Sequence, residues 1–239
     1  GHGHLNLYEA FEASCNNYFY YLAARHLDAG NFNQWARKLG CGDLTGIDLP
    51  TMGGSYDRGF LKNPEGVKGE KALCMYGIGQ VQVQMTPLQA LRMVGAVAAG
   101  LKTAPRPWLV KKKTPDKIYT RNSRTAAIVQ ECMKRVVSGP HGTVHGKFGL
   151  EDFNFAAKTG TAQYKSNNSR YHSWMVGYGP LPDPSIAFVV VCEKSRLGGG
   201  DACSPIVREL MEYLAGGDPR FLANQESSFN SSRETGAGR

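Results

Sequence analysis

Three strand-like runs close the chain, and their succession limits the fold more than any other feature. Phe153–Thr161, His172–Tyr178 and Ile186–Glu193 are short and rich in β-branched and aromatic residues. Pro180-Leu-Pro-Asp-Pro-Ser185 joins the second run to the third and reads as a long hairpin turn. A helix follows over Ser204–Ala215, with Pro205 at its start. The first run ends in Lys158-Thr159-Gly160-Thr161. A lysine and two hydroxyls at the end of a strand can meet an anion. Gly160 lets a second backbone lie close alongside. Such a strand at a sheet edge can receive an extended peptide and hold its terminal carboxylate. The plainer reading is a threonine-rich strand with a solvated lysine.

The upstream part reads as mostly helical. Leu7, Phe11, Cys15, Tyr18, Phe19, Leu22 and Ala23 recur at helical spacing over Leu7–His26. Ser14 and Asn16 fall in the middle, and both residue types prefer caps and turns to helix interiors. The pattern therefore predicts two helices meeting at Ser14, the second ending near Gly30. The plain reading of Ser14 is an N-cap. A short helix is expected over Asn33–Leu39, stopped by Gly40-Cys41-Gly42, then a loop over Thr45–Gly69. Thr86-Pro-Leu-Gln89 opens a helix that runs to Gly100: Thr86 caps, Pro87 fits the first helical position and Gln89 closes a capping box. Residues 101–121 read as a Pro- and Lys-rich linker with a short strand at Trp108–Val110. Ser123–Val137 is helical, Gly139–Gly149 a loop, and Tyr164–Tyr171 a polar, mobile stretch. The folded domain is expected over 1–216, with a disordered, polar tail over 217–239.

Composition excludes some function classes. The chain has 239 residues and a formal charge of +8. Its basic residues are scattered apart from Lys111-Lys112-Lys113, and no nucleic-acid fingerprint accompanies them, so no nucleic-acid partner is expected. No apolar run in these residues reaches the roughly eighteen that a membrane helix needs and none reads as a signal peptide, which excludes nothing about an anchor upstream. The six cysteines form no Cys-x-x-Cys and no zinc pattern, and His2 and His4 lack a third ligand nearby. No metal site is expected. The cysteines read as small buried side chains, with pairing left open.

The order of motifs carries a family resemblance. Ser14-Cys15-Asn16 precedes Lys158-Thr159-Gly160, and a hairpin and a last helix follow. Around them stand Gly1-His-Gly3, Thr45-Gly-Ile-Asp-Leu-Pro50, Gly77-Ile-Gly-Gln80, Thr86-Pro-Leu-Gln89 and His172-Ser-Trp-Met-Val-Gly-Tyr-Gly-Pro180. Two of the three motifs of the penicillin-binding and β-lactamase group are thus present and in order. From residue 1 to about Gly216 the chain resembles the transpeptidase domain of class B penicillin-binding proteins, in its elongation-type form more than its division-type form. It departs from the family at Thr51-Met-Gly-Gly, at Val81 and, most of all, at the absent Ser-x-x-Lys: no serine has a lysine three positions on. The family's acylated serine lies upstream of the Ser-x-Asn, so the chain is expected to begin too late to contain it.

The resemblance implies an α+β fold of the β-lactamase/transpeptidase type, with an antiparallel sheet flanked by helices. Two of its five strands would come from upstream, leaving the sheet incomplete on its N-terminal side. It implies serine acyl transfer on the D-Ala-D-Ala end of peptidoglycan stem peptides, with β-lactams acylating the same serine and no cofactor. Ser14 would relay a proton and Asn16 would bond the substrate amide. Lys158 would order Ser14 and attract the substrate carboxylate, which the hydroxyls of Thr159 and Thr161 would also bind beside Gly160. The Thr161 N–H would be one of two oxyanion donors. The fragment alone is expected to be inactive. A membrane-bound wall-synthesis complex at the extracytoplasmic face of the inner membrane is the implied setting. A β-lactam sensor, a β-lactamase relative and a non-catalytic homologue are the competing readings.

Overall fold

The computed structural model describes residues 2–48, 59–80, 83–110, 114–117, 123–164 and 169–223. Two of the segments singled out in the sequence, Thr51-Met-Gly-Gly and Val81, lie outside them, as do Lys111–Lys113.

Three strands form the main sheet: β5 (Ala156–Gln163), β6 (Tyr171–Gly179) and β7 (Ile186–Ser195). They pair antiparallel in the order β5-β6-β7, with Lys158 opposite Val176 and Tyr178 opposite Ala187. Two further sheets are two-residue pairs. β1 (Phe60–Leu61) pairs with β2 (Val83–Gln84), and β3 (Thr103–Ala104) with β4 (Asp116–Lys117). The strand expected at Trp108–Val110 is absent. The pairing falls on β3 and β4 instead, and Trp108, Leu109 and Val110 are exposed. There the backbone N–H groups of Leu109 and Val110 donate to the Asp48 carboxylate at 2.6 and 3.0 Å. A carboxylate, not a neighbouring strand, satisfies that backbone.

Period-two alternation sends successive side chains of the sheet to opposite faces, and both faces are covered. On one, Phe155, Ala157, Met175 and Phe188 pack with Val207 and Met211 of helix α7 (Gly199–Gly217) and with Val136 and Val137 of α6 (Ser123–Ser138). On the other, Ala156 and Tyr178 pack with Val94, Ala96 and Val97 of α5 (Pro87–Ala98). Each large apolar side chain buried this way contributes about 1.5–3 kcal/mol. Helix α5 starts as its sequence predicts, with Thr86 and Gln89 closing the capping box and Pro87 in the first turn.

The remaining helices are α1 (Leu7–Glu12), which packs against α6, α2 (Asn16–His26), which packs against α4 (Glu70–Gly77), and α3 (Ala29–Lys38). Helix α3 begins four residues before its expected start. Asp28 caps it by accepting the Asn31 N–H at 2.6 Å, and this cap outweighs Gly30 as a stop signal. Helix α4 has no counterpart in the sequence reading. It is short and gains its stability from tertiary burial of Tyr76 among Ala29, Val67 and Phe32.

Two boundaries at the C-terminus also differ from expectation. Helix α7 begins at Gly199, which places Pro205 inside it. Its first turn is anchored on the sheet, and that anchor offsets the backbone hydrogen bond the proline cannot make. The chain also stays packed beyond residue 216. Pro219–Phe221 forms a 3-10 turn, Phe221 is 1% exposed within the main core, and Leu222 bridges to Phe153. All six cysteines are free thiols. No helix among the described residues is long and apolar enough to cross a membrane.

Candidate active site

The site is built where α1 ends against β5. Helix α1 closes in a Schellman motif: the Cys15 N–H bonds the Ala10 carbonyl at 2.8 Å and the Ser14 N–H bonds that of Phe11 at 3.1 Å. The motif needs a left-handed residue at its turn, a position that glycine usually fills. Here Ser14 occupies it with φ +51°. For a side chain with a Cβ that conformation costs roughly 1–2 kcal/mol, and such strain collects at functional sites. Ser14 is therefore not the N-cap of α2. That position is Cys15, which makes no side-chain cap bond. The end of α1 is anchored by Glu12, 4% exposed, whose carboxylate accepts the His141 N–H at 2.9 Å.

Lys158, on β5, meets this turn. Its Nζ donates to Ser14 Oγ at 2.8 Å and to the Thr159 carbonyl at 2.8 Å, and lies 5.7 Å from the centre of the Phe11 ring. Among the described residues it pairs with no carboxylate. Burial without an anionic partner disfavours the ammonium and pushes its pKa down to about 8. Asn16, the first residue of α2, is exposed and lines the same cleft.

Strand β5 is an edge of its sheet. The carbonyls of Thr159 and Thr161 accept from side chains, Lys158 Nζ and Gln80 Nε2, and not from the backbone of β6, so both point away from β6. In a strand a residue's N–H lies on the same side as its carbonyl, so the N–H groups of Thr159 and Thr161 face that edge too. Gly160 sits between them, 3.4 Å from Trp174 Cβ where its own Cβ would stand. The two threonine side chains share the other face. Thr159 Oγ1 lies 2.7 Å from Thr143 Oγ1, and Thr161 Oγ1 accepts the Gly199 N–H at 2.9 Å. Thr161 thus keeps its own hydroxyl proton to donate. Gly199 is required here, since a Cβ would collide with the Gly160 carbonyl oxygen.

All six residues expected from sequence, Ser14, Asn16, Lys158, Thr159, Gly160 and Thr161, line one cleft of about 730 Å³. Phe11, Gln80, Thr143, Lys147 and Asp201 line it as well, the last two as an ion pair. Sequence reasoning did not select these five. Gln80 alone carried a signal, within Gly77-Ile-Gly-Gln80.

A sequence profile described as the penicillin-binding protein transpeptidase domain matches residues 1–212. The chain belongs to that family. This transpeptidase domain is 33% identical over 234 residues to the peptidoglycan D,D-transpeptidase MrdA of Acinetobacter baumannii, covering 84% of this chain and 34% of that protein. The Escherichia coli K12 protein of the same name is 27% identical over 252 residues, covering 91% of this chain and 38% of the relative. The chain thus spans little more than a third of these relatives. Among solved structures, it superposes on the penicillin-binding protein PBP2 of Helicobacter pylori, in complex with MreC, with a TM-score of 0.77 at 24% identity, covering 90% of this chain and 41% of that one. The Pseudomonas aeruginosa PBP2 complex with WCK 5153 gives 0.76 at 24%, covering 94% and 52%. These two likenesses establish the fold, which is the β-lactamase/transpeptidase type expected from the sequence.

Proposed function

We propose that this transpeptidase domain forms one wall of a serine acyl-transfer site that acts on the D-Ala-D-Ala end of peptidoglycan stem peptides and is acylated by β-lactams. The contact of Lys158 Nζ with Ser14 Oγ, beside a strand edge that no other strand pairs with among the described residues, supports this best. Ser14 relays a proton between the catalytic base and the leaving amine. Lys158, its pKa pushed down by burial to about 8, orders Ser14 and draws in the substrate carboxylate. The Thr159 and Thr161 hydroxyls bind that carboxylate beside Gly160, and Asn16 bonds the substrate amide. The Thr161 N–H donates to the developing oxyanion, a contribution of roughly 3 kcal/mol to the barrier. The nucleophile and its base belong to the family's Ser-x-x-Lys, which these 239 residues do not contain. The setting is the extracytoplasmic face of the inner membrane, within a membrane-bound wall-synthesis complex, a reading supported by the MreC complex of the H. pylori protein.

The test is covalent labelling with a fluorescent penicillin. The chain alone should take no label. Joined to the Ser-x-x-Lys segment of a relative, it should label stoichiometrically. Labelling of the chain alone would refute the role given to Ser14. Sustained penicillin turnover by the joined protein would mark a hydrolase instead.

A further inference from the structure

One side chain from outside the sheet sits on the free edge of β5. Gln80 Nε2 donates to the Thr161 carbonyl at 3.1 Å. The backbone delivers it there. Helix α4 ends in its own Schellman motif, with Gly79 at φ +73°, the Gly79 N–H on the Tyr76 carbonyl at 3.0 Å and the Gln80 N–H on that of Met75 at 2.9 Å. The helix is held close against α2, because Gly77 faces the Ala23 methyl with no room for a Cβ. Gln80 thus leaves a fixed backbone position and reaches, half-buried, to β5.

The carbonyl it occupies is the one an added strand would use. An extended ligand laid along this edge pairs its own backbone N–H with the Thr161 carbonyl, beside the Thr161 N–H on the same side. The Gln80 carboxamide and the ligand N–H therefore compete for one acceptor. We propose that Gln80 is a latch on the substrate-binding edge: it holds the Thr161 carbonyl and yields it to the backbone N–H of an acylamino-bearing ligand. The latch satisfies an exposed strand carbonyl and so blunts the edge against unspecific pairing. It also slows only the ligands that use this carbonyl. A ligand with the N–H replaces the hydrogen bond it displaces, whereas a ligand without it leaves Gln80 in place. The nature of the ligand rests on the transpeptidase reading above, while the competition rests on the geometry of Gln80 and β5.

The experiment uses the joined protein with Gln80→Ala and Gln80→Met, the second keeping the side chain's bulk without its donor. Second-order acylation rates are measured with benzylpenicillin, which carries an acylamino N–H, and with a carbapenem, which has a hydroxyethyl group in its place. Both variants should react with benzylpenicillin about fivefold faster, the worth of one neutral hydrogen bond, with the carbapenem rate unchanged. An unchanged or slower penicillin rate in both variants overturns the latch. So does an equal change with both probes, which would mean that Gln80 only shapes the cleft. If the unsubstituted joined protein takes neither probe, the transpeptidase reading itself fails. If it takes both and the variants match it, the latch alone fails.

Discussion

At the scale of single residues, Ser14 and Lys158 each carry a cost that the fold bears for the site. Ser14 holds a left-handed turn that suits glycine better. Ser14→Gly should therefore leave the melting temperature unchanged or raised, yet slow penicillin labelling of the joined protein as sharply as Ser14→Ala does. Ser14→Ala and Lys158→Ala should each slow acylation by on the order of a hundredfold or more. Thr161→Val should do less, since the backbone N–H survives and one hydroxyl contact is lost. Lys158 also makes the site pH-dependent. Burial brings its folded-state pKa from the ordinary 10.5 down to about 8. Between those values the unfolded chain holds a proton that the folded chain does not, so unfolding takes up a proton. Stability then rises with pH across that window, and burying the ammonium costs most below pH 8. Acylation runs the other way and declines above about pH 8, as the charge that attracts the carboxylate is lost. Urea midpoints of the wild-type protein minus those of Lys158→Met should show the first trend. The pH profile of labelling should show the second.

At the scale of elements, the two edges of the sheet behave differently. The β5 edge is punctuated by Lys158 and Gln80, each bonding one of its carbonyls. The β7 edge contains Ile-Ala-Phe-Val-Val-Val-Cys, uncharged from Ile186 to Cys192, and among the described residues no strand lies beyond it. An open strand of that composition templates pairing with a second copy. The chain should self-associate with rising concentration in sedimentation velocity, and Val191→Lys should reduce this. A wild-type chain that stays monomeric at high concentration would count against the idea. Helices show how far local signals reach. Helix α5 was legible because Thr86, Pro87 and Gln89 make its start from neighbouring residues. Helix α4 was not, because what stabilises it is Tyr76 buried against distant partners, with its hydroxyl on Asn33.

At the scale of the whole molecule, the fold closes further along the chain than its polar composition suggests. Phe221 fills the core beside Phe155 and Val207, so Phe221→Ala should destabilise the domain by about 3–5 kcal/mol in urea unfolding. Truncation after Gly216 should do at least as much. A polar stretch around one aromatic residue carries no periodic signal, and only the groove that receives Phe221 reveals its role. The sequence by itself determined the three strands, the long helices and the six motif residues. Strands and helices follow from alternation, helical spacing and local caps, and the six motif residues were singled out by a family resemblance carried by their order. Tertiary structure alone decided the rest. Ser14 and Lys158 stand 144 positions apart and meet only because α1 ends against β5. Glu12, Gln80 and Thr143 join them through contacts with no local pattern, since each depends on where a distant segment packs.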